Sequence, residues 1–126
     1  FGKASSEVEK VYEVLWQATE IGINAAIPGA TTFDVFNAMN KVISEVSVAG
    51  NNVGRLGHGL GLQLTEPPSH RDEDKTVIKE NMVLTIEPGL EYAPGKMIVH
   101  EENIIINKDG AELITKRAPK EIPIIK

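Results

Sequence analysis

The fold is indicated most directly by residues 82–89, which read Met-Val-Leu-Thr-Ile-Glu-Pro-Gly. The apolar and β-branched residues from Met82 to Ile86 are typical of a buried β-strand, and the Pro-Gly pair ends it with a turn. Glu87 lies at the end of this run, where an unpaired carboxylate costs several kcal/mol unless something compensates its charge. The stretch therefore predicts a strand that presents a charged side chain with a specific partner.

Further β-structure is predicted on both sides of this strand. Residues 99–106 form a second apolar run, and Asn107-Lys108-Asp109-Gly110 is a strong hairpin turn into residues 111–115. Upstream, Leu60, Leu62 and Leu64 alternate like a strand. Residues 67–74 indicate an exposed loop, and the tail from Pro119 onwards is expected to be extended.

Two helices are predicted before the strands. Ser6 and Glu9 have the spacing of a capping box, and apolar residues then recur at helical spacing as far as a stop at Pro28-Gly29. A second helix is expected to start at Thr31 or Thr32 and to fade at residues 50–52. Two helices followed by antiparallel strands predict an α+β fold.

Composition excludes several classes of protein. The chain has 126 residues, the size of one domain, and its 13 Lys and Arg against 18 Asp and Glu give a net charge of −5, which argues against binding to a nucleic-acid backbone. No apolar run approaches the roughly 20 residues that span a bilayer. The absence of cysteine excludes disulfides and thiol catalysis.

Three charged or polar residues lie unexpectedly in strand-like, apolar surroundings: His58, Glu87 and Glu101. A divalent metal would compensate both carboxylates and the imidazole, and this donor set suits Mn, Co, Fe or Zn. The alternative is that the glutamates are solvated at strand ends and that His58 is a hydrogen-bonded core residue. On spacing alone, both interpretations stay open.

The other candidate side chains are assigned simpler roles. His70 lies in the charged loop and is expected to be exposed, whereas His100 should face the side of the sheet opposite to Glu101, because neighbouring strand residues alternate. Three further glutamates are predicted to face water: Glu66, Glu91 and Glu102.

Three motifs in order resemble one family. Residues 57–62 (Gly-His-Gly-Leu-Gly-Leu), 81–89 and 99–104 are similar to the signatures of the pita-bread metallohydrolases, which include Xaa-Pro dipeptidase, aminopeptidase P, methionine aminopeptidase and creatinase. The resemblance spans nearly the whole chain. Residues 54–59, with 91–96 and 117–119, look most like members related to ectoine hydrolase.

The resemblance implies a two-metal site and a role for each candidate. In this family two Asp, one His and two Glu hold two divalent ions, here Mn, Co, Fe or Zn. His58 would be the histidine ligand, Glu87 the first glutamate and Glu101 the second, which bridges both metals. Glu87, acting with His58 in the catalytic set, would shuttle a proton from the activated water to the leaving nitrogen.

The family's two Asp ligands are expected upstream of every matched motif. Asp34, Asp72 and Asp74 fall in contexts that do not match them. Residues 1–126 are therefore expected to be the second half of a pseudo-twofold catalytic domain whose first half is missing. Such a fragment should be inactive alone.

Three departures from the peptidase pattern bear on the substrate. Seven residues after the ligand histidine, peptidase members carry a second histidine that binds substrate, and here this position is Thr65. Prolidase-like members have histidine at the position of Gly54 and arginine at that of Val99. The metal-binding part of the pattern is kept, while the contacts to a proline peptide are not.

The predicted function is that of a metal-dependent hydrolase resembling Xaa-Pro dipeptidase or aminopeptidase P, which cleaves a C–N amide bond. The alternative is a non-peptidase member acting on a small solute, such as an ectoine-type hydrolase, a creatinase-like amidinohydrolase or a lyase. A metal-free binding module is a third possibility. The expected partners are a dipeptide or small-molecule substrate and a second subunit of a cytoplasmic homodimer, without nucleic acid or membrane.

Overall fold

The computed structural model describes residues 2–46 and 54–125, in which two helices precede seven strands. All strand pairs are antiparallel, so the α+β fold predicted from the sequence is confirmed. The helices are α1 (Ser6–Ala25) and α2 (Thr32–Ser44), and the strands are β1 (His58–Gly59), β2 (Glu66–Ser69), β3 (Val83–Ile86), β4 (Gly89–Ala93), β5 (Lys96–Val99), β6 (Glu102–Asn107) and β7 (Gly110–Leu113).

Strand β3 is at the centre of the main sheet, whose strand order is β2-β1-β3-β6-β7. It pairs with β6 from Val83 opposite Ile105 to Ile86 opposite Glu102, and with β1 on its other side. Strands β4 and β5 form a separate two-stranded sheet. The central position of β3 explains why residues 82–86 form such an apolar run.

The two helices cover one face of this sheet. Leu84 and Ile86 of β3 are fully buried there. Because side chains alternate along a strand, Thr85 and Glu87 point away from the helices. The core cluster joins these strand residues to both helices and to β6, and includes Leu15, Ala18, Val35, Met39, Ile43, Ile104 and Ile106.

The helix caps agree with the sequence for α2 and differ by one residue for α1. Thr31 caps α2 and forms a reciprocal capping box with Asp34. In α1 the cap is Ser5, whose side chain accepts a hydrogen bond from the backbone of Val8, so the capping box predicted at Ser6 and Glu9 is wrong. Helix α2 ends at Ser44, and the fading predicted at residues 50–52 lies outside the described residues.

The segment after His58 departs from the predicted strand. Only His58 and Gly59 belong to β1, and the next residues form a turn in which Gly61 donates to the carbonyl of Gln63. The side chain of Glu66 accepts from the backbone of Gln63 and closes this turn. These local hydrogen bonds replace the pairing of a longer strand. Two of the alternating leucines are therefore exposed: Leu62 and Leu64.

The predicted exposed loop over residues 67–74 is also corrected. Its first part is strand β2 at the edge of the sheet, where a proline is tolerated because its missing N–H faces no partner. Pro68 is buried, and His70 is 0% exposed, so the prediction of an exposed His70 is wrong.

The apolar run at residues 99–106 is two strands rather than one. Strand β5 ends at Val99 and pairs with β4, whereas β6 begins at Glu102 and pairs with β3. His100 lies between them and donates its backbone N–H to Pro88, where the chain passes from one sheet to the other. The predicted hairpin is confirmed, because Asn107 pairs with Gly110 at the start of β7.

The ends of the described chain lie together. Gly2 donates its backbone N–H to the carbonyl of Ile125, and residues 119–125 contain no helix or longer strand. Neither helix in the ranges 2–46 and 54–125 carries an apolar stretch of the length needed to cross a bilayer.

Gly22 is a point of close contact between α1 and its neighbours. A Cβ added there would lie 2.7 Å from Met39 Sδ and 2.9 Å from Ile86 Cγ2. We expect Gly22→Ala to lower the free energy of unfolding by about 1–2 kcal/mol, because this collision outweighs a gain of up to about 1 kcal/mol in helix propensity. Urea unfolding measures the change. The exposed Asn24→Ala in the same helix should be neutral or stabilising, and a more stable Gly22→Ala would contradict the packing described.

Candidate functional site

His58 is held at the start of the sheet by three contacts. Its backbone N–H donates to Thr85 Oγ1 at 2.9 Å, and its ring Nδ1 lies 2.8 Å from the carbonyl oxygen of Gly59. Because a carbonyl can only accept, Nδ1 is the donor in this contact, and Nε2 is the ring nitrogen left to meet another group. Nε2 faces Glu87 Oε2 at 3.5 Å. The imidazole is therefore oriented in the way that metal-binding histidines are, with the second nitrogen anchored to the backbone.

The pair formed by His58 and Glu87 fits a shared cation. The His58 side chain is 6% exposed and that of Glu87 is 28% exposed, so neither group is fully solvated. An imidazole nitrogen that faces a carboxylate oxygen requires a proton or a metal ion between the two atoms. Two ligands that are each about 2.1 Å from a tetrahedral ion lie about 3.4 Å apart, close to the observed separation. The chemistry and spacing of these two donors thus suit a divalent metal.

Glu101 does not join this pair in the described chain. It directly precedes β6 and is exposed, while Glu87 directly follows β3, so both lie beyond the last paired residues, Ile86 and Glu102. Within residues 2–46 and 54–125, no three His, Asp or Glu side chains are close enough to hold a metal. The structure therefore brings together two of the three predicted ligands.

Close backbone approach at Gly57 places His58 beside β3. Gly57 has φ +141°, and a Cβ there would collide with the carbonyl oxygen of Thr85 and with the ring of His70. The neighbouring Leu56 accepts from the backbone of Glu87 at 2.8 Å. Glycine at position 57 is thus required for the segment that carries His58 to lie against the segment that carries Glu87.

Glu102 is a buried anchor, and the prediction that it faces water is wrong. It is 2% exposed and accepts hydrogen bonds from Thr115 Oγ1 at 2.6 Å, Ala118 N at 2.8 Å and Arg117 Nη1 at 3.2 Å. Burial alone raises the pKa of Glu102, but these hydrogen bonds and the charge of Arg117 outweigh it, and the pKa is lowered. Strand alternation in the sequence is the signal that indicates this burial. Neighbouring strand residues face opposite sides of the sheet, so Glu101 and Glu102 cannot both lie on its exposed side.

Arg117 connects this anchor to helix α1. Its guanidinium stacks on the ring of Trp16 at 4.5 Å and donates to the Trp16 carbonyl at 3.1 Å. The indole of Trp16 in turn donates to the carbonyl of Ala118. We call the contacts among Glu102, Thr115, Arg117, Ala118 and Trp16 the C-terminal clasp. The clasp fixes the start of β6, next to Glu101.

The two remaining histidines are buried and neutral. Burial lowers the pKa of His70 to about 4, and the nearby backbone of Thr32 and Thr85 offsets only part of this shift. Burial also lowers the pKa of His100, whose ring meets Tyr12 edge-on at 4.6 Å. His100 thus contacts α1 while Glu101 is exposed, in agreement with the alternation predicted for them.

The carboxylates of Asp34 and Asp74 are used in local structure. Asp34 accepts from the backbone and the hydroxyl of Thr31 in the α2 capping box. Asp74 accepts from Ser69 N at 2.8 Å and Thr76 N at 3.0 Å, and although burial raises the pKa of Asp74, these bonds lower it to about 2. The exposed Thr65 precedes β2.

An open cleft lies beside Glu87. Its walls include Gly54, Arg55, Arg71 and Glu73. Arg71 Nε lies 3.6 Å from Glu73 Oε2, and the side chain of Arg55 has no ion pair or hydrogen bond to any described residue. Sequence reasoning did not single out either arginine as part of the site, since neither belongs to the strand-like runs that revealed His58 and Glu87.

The comparisons with known proteins agree with this architecture. Metallopeptidase family M24 matches residues 1–108. An Xaa-Pro dipeptidase from Pyrococcus furiosus is 34% identical over 116 residues, which cover 91% of this chain and 33% of that protein. The solved prolidase from Pyrococcus furiosus superposes with a TM-score of 0.87 at 31% identity over 94% of this chain and 35% of its own. For the X-Pro aminopeptidase from Thermotoga maritima MSB8 the TM-score is 0.85 at 30% identity, over 99% of this chain and 35% of its own.

These matches define the fold as the pita-bread fold of the solved prolidase and X-Pro aminopeptidase. The chain belongs to metallopeptidase family M24, and the family predicted from its three motifs is confirmed. It spans about a third of the length of the relatives it matches. The N-terminal domain of FACT complex subunit SPT16 from Cicer arietinum is also similar, with a TM-score of 0.77 at 25% identity. Its name is that of a complex subunit, so the fold by itself does not define an activity.

Glycine at position 57 can be tested against a matched control. We expect Gly57→Ala to lower the free energy of unfolding by about 3 kcal/mol or more, because the new methyl group meets the rigid backbone of Thr85 in addition to the strain of a positive φ. Gly54→Ala has φ +80° but open space around the new Cβ, so it should cost only about 1 kcal/mol. Urea unfolding compares the two variants, and equal losses would refute the close approach.

The contacts of the C-terminal clasp predict that Glu102 makes a pH-dependent contribution to the free energy of unfolding. A carboxyl whose pKa is lowered by folding stabilises the protein above its unfolded pKa of about 4.3, and this contribution is lost as the pH falls through the folded value. Glu102→Gln should therefore lower the free energy of unfolding by about 1–3 kcal/mol at pH 7 and by less at pH 3.5. Glu80→Gln, at an exposed position, is the control and should change the free energy of unfolding little at either pH. A loss for Glu102→Gln that is the same at both pH values would contradict the prediction.

Proposed function

We propose that this chain is the ligand-bearing second half of a pita-bread catalytic domain, in a metallopeptidase-like hydrolase that cleaves a C–N amide bond. The observation that carries the proposal is the pairing of His58 and Glu87, with Nε2 facing Oε2 at 3.5 Å and Nδ1 anchored on Gly59. Membership of family M24 supports it, as do the Xaa-Pro dipeptidases among the relatives.

The domain assignment rests on what residues 2–46 and 54–125 lack. They offer His58 and Glu87 as a pair and Glu101 nearby in sequence, but no complete ligand cluster. The chain also covers only a third of its relatives. We infer that residues 1–126 form one half of the domain, that a preceding half supplies two Asp ligands, and that this half alone is inactive.

Each residue of the half-site is given a role suited to its surroundings. His58 would bind a metal through Nε2, because its other nitrogen is already used. Glu87 would bind metal and carry a proton to the leaving nitrogen, since it is the less buried member of the pair. Glu101 would bind once the site is complete. Two divalent ions of Mn, Co, Fe or Zn, when bound, supply Lewis acidity and an acidified water.

A second candidate function is hydrolysis or cleavage of a small solute. It is favoured by Thr65, Gly54 and Val99, which stand where peptidase members carry histidine, histidine and arginine. Thr65 and Val99 are exposed, and neither carries the basic group of the histidine or arginine at that position in the peptidase members. This candidate comprises the ectoine-type, creatinase-like and lyase branches. A cytoplasmic homodimer, with manganese as one of the candidate metals, is part of either proposal on the family resemblance.

The test is an assay of the full-length protein loaded with Mn or Co. Release of free amino acid is measured from a panel of Xaa-Pro dipeptides and compared with cleavage of ectoine and creatine. We expect Xaa-Pro turnover that falls by about 100- to 10,000-fold in His58→Ala and Glu87→Gln, because each removes a ligand or proton carrier. Metal content is measured in parallel by plasma mass spectrometry.

The exposed Glu80→Gln serves as the control and should keep both activity and metal content. Turnover of a small solute without peptide turnover, still lost in His58→Ala, would replace the first candidate by the second. Full activity in His58→Ala would refute the site itself.

A further inference from the structure

We propose that the C-terminal clasp positions Glu101 for metal binding, with Arg117 and Thr115 acting through Glu102. The inference rests on the proposed function, in which Glu101 becomes a ligand once the site is complete. Arg117 and Thr115 are positioning residues in this scheme, since both bond directly to the carboxylate of Glu102, the next residue along the strand.

Glu101 lies at the point where the pairing of β3 with β6 ends. The last register pair is Ile86 with Glu102, and Glu101 directly precedes β6. On its other side, His100 donates its backbone N–H to the carbonyl of Pro88 at 3.0 Å. Ile86 and Pro88 flank the proposed proton carrier. The position of Glu101 relative to that carboxylate therefore depends on how its own two neighbours are held.

One face of helix α1 holds the chain on both sides of Glu101. The ring of His100 meets the ring of Tyr12 edge-on, with 4.6 Å between the centroids. The clasp reaches α1 through Arg117, which donates to the carbonyl of Trp16 at 3.1 Å and stacks on its ring. Tyr12 and Trp16 are four residues apart in the helix, so they lie on the same face.

Three hydrogen bonds fix the direction of the Glu102 carboxylate. Thr115 Oγ1 donates to Oε2 at 2.6 Å, whereas Ala118 N and Arg117 Nη1 donate to Oε1 at 2.8 Å and 3.2 Å. Because neighbouring strand residues point to opposite sides, holding this side chain on the helix side also sets the direction of Glu101 on the other side. An apolar residue could anchor the strand without the desolvation cost of a buried charge. The polar network is explained by the direction that it imposes.

The first measurement is metal binding, which needs no turnover. Full-length protein is freed of metal with a chelator and titrated by calorimetry with Mn²⁺, and in parallel with Co²⁺. Groups that orient a ligand contribute about 10- to 100-fold to metal affinity, so Thr115→Val and Arg117→Gln should each bind about tenfold more weakly. Thr115→Ser keeps the hydroxyl and should recover most of the loss. Unchanged binding in both Thr115→Val and Arg117→Gln would overturn the proposal.

Two control variants separate positioning from general stability. Tyr12→Phe removes the hydrogen bond from the Tyr12 hydroxyl to the carbonyl of Pro119 but keeps the ring that meets His100. Thr31→Ala removes the N-cap of α2 and lowers stability without touching the clasp. Both variants should bind metal as the wild type does. A loss of affinity in these controls equal to that in Thr115→Val would assign the clasp to fold stability alone.

The second measurement shows whether Thr115 acts through Glu101. Metal affinity is compared among Glu101→Gln, Thr115→Val and the double variant. Thr115→Val should weaken binding about tenfold when Glu101 is present and less than twofold after Glu101→Gln, because coupled residues are not additive. Losses that multiply in the double variant, or binding that Glu101→Gln leaves unchanged, would refute this route. If Glu101→Gln abolishes binding, the first measurement with its two controls decides.

The outcomes separate this inference from the proposed function. Clasp-dependent metal binding without hydrolysis of Xaa-Pro dipeptides, ectoine or creatine would leave the positioning role standing and refute the hydrolase. Hydrolysis that is lost in His58→Ala, with metal affinity unchanged in Thr115→Val and Arg117→Gln, would refute the positioning role alone. Wild-type protein that binds neither Mn²⁺ nor Co²⁺ would refute both.

Discussion

The backbone contact between Gly57 and Thr85 is the constraint on which the site depends. Since no side chain occupies position 57, the segment that carries His58 can lie directly against the central strand β3. Thr85 Oγ1 can then accept a hydrogen bond from the backbone N–H of His58. The same approach lets Leu56 accept from Glu87. Two residues that are 29 positions apart are thereby brought within 3.5 Å of each other.

The two faces of β3 have different roles, one in the core and the other in the site. Leu84 and Ile86 point to α1 and α2 and supply the core, while Thr85 and Glu87 point away and supply the site. The C-terminal clasp extends this division to β6, where Glu102 is buried among Thr115, Arg117 and Ala118, and Glu101 is left exposed. Rigidity on the helix side is what allows the opposite face to hold charged groups in fixed positions.

The described chain presents an incomplete set of metal ligands. His58 is oriented through Nδ1 and Glu87 lies opposite its free nitrogen, but the third predicted ligand, Glu101, is not gathered with them. Beside this pair, Arg55 faces an open cleft without a described partner. The incomplete ligand set is understandable if ligands from outside the described residues complete the site.

The amino-acid sequence by itself determined the order of helices and strands and the family, because apolar periodicity, turn residues and ordered motifs are local. It also predicted His58, Glu87 and Glu101 as the site residues. It misjudged Glu102 and His70, whose burial involves contacts with Arg117 and with residues 56–57, segments that are more than ten positions away in the chain. It also took residues 60–64 as a strand, since alternation alone does not show whether a neighbouring strand is available. The tertiary structure decided which glutamate of the 101–102 pair is buried and which arginines lie beside Glu87, because burial and charge balance depend on contacts between distant segments.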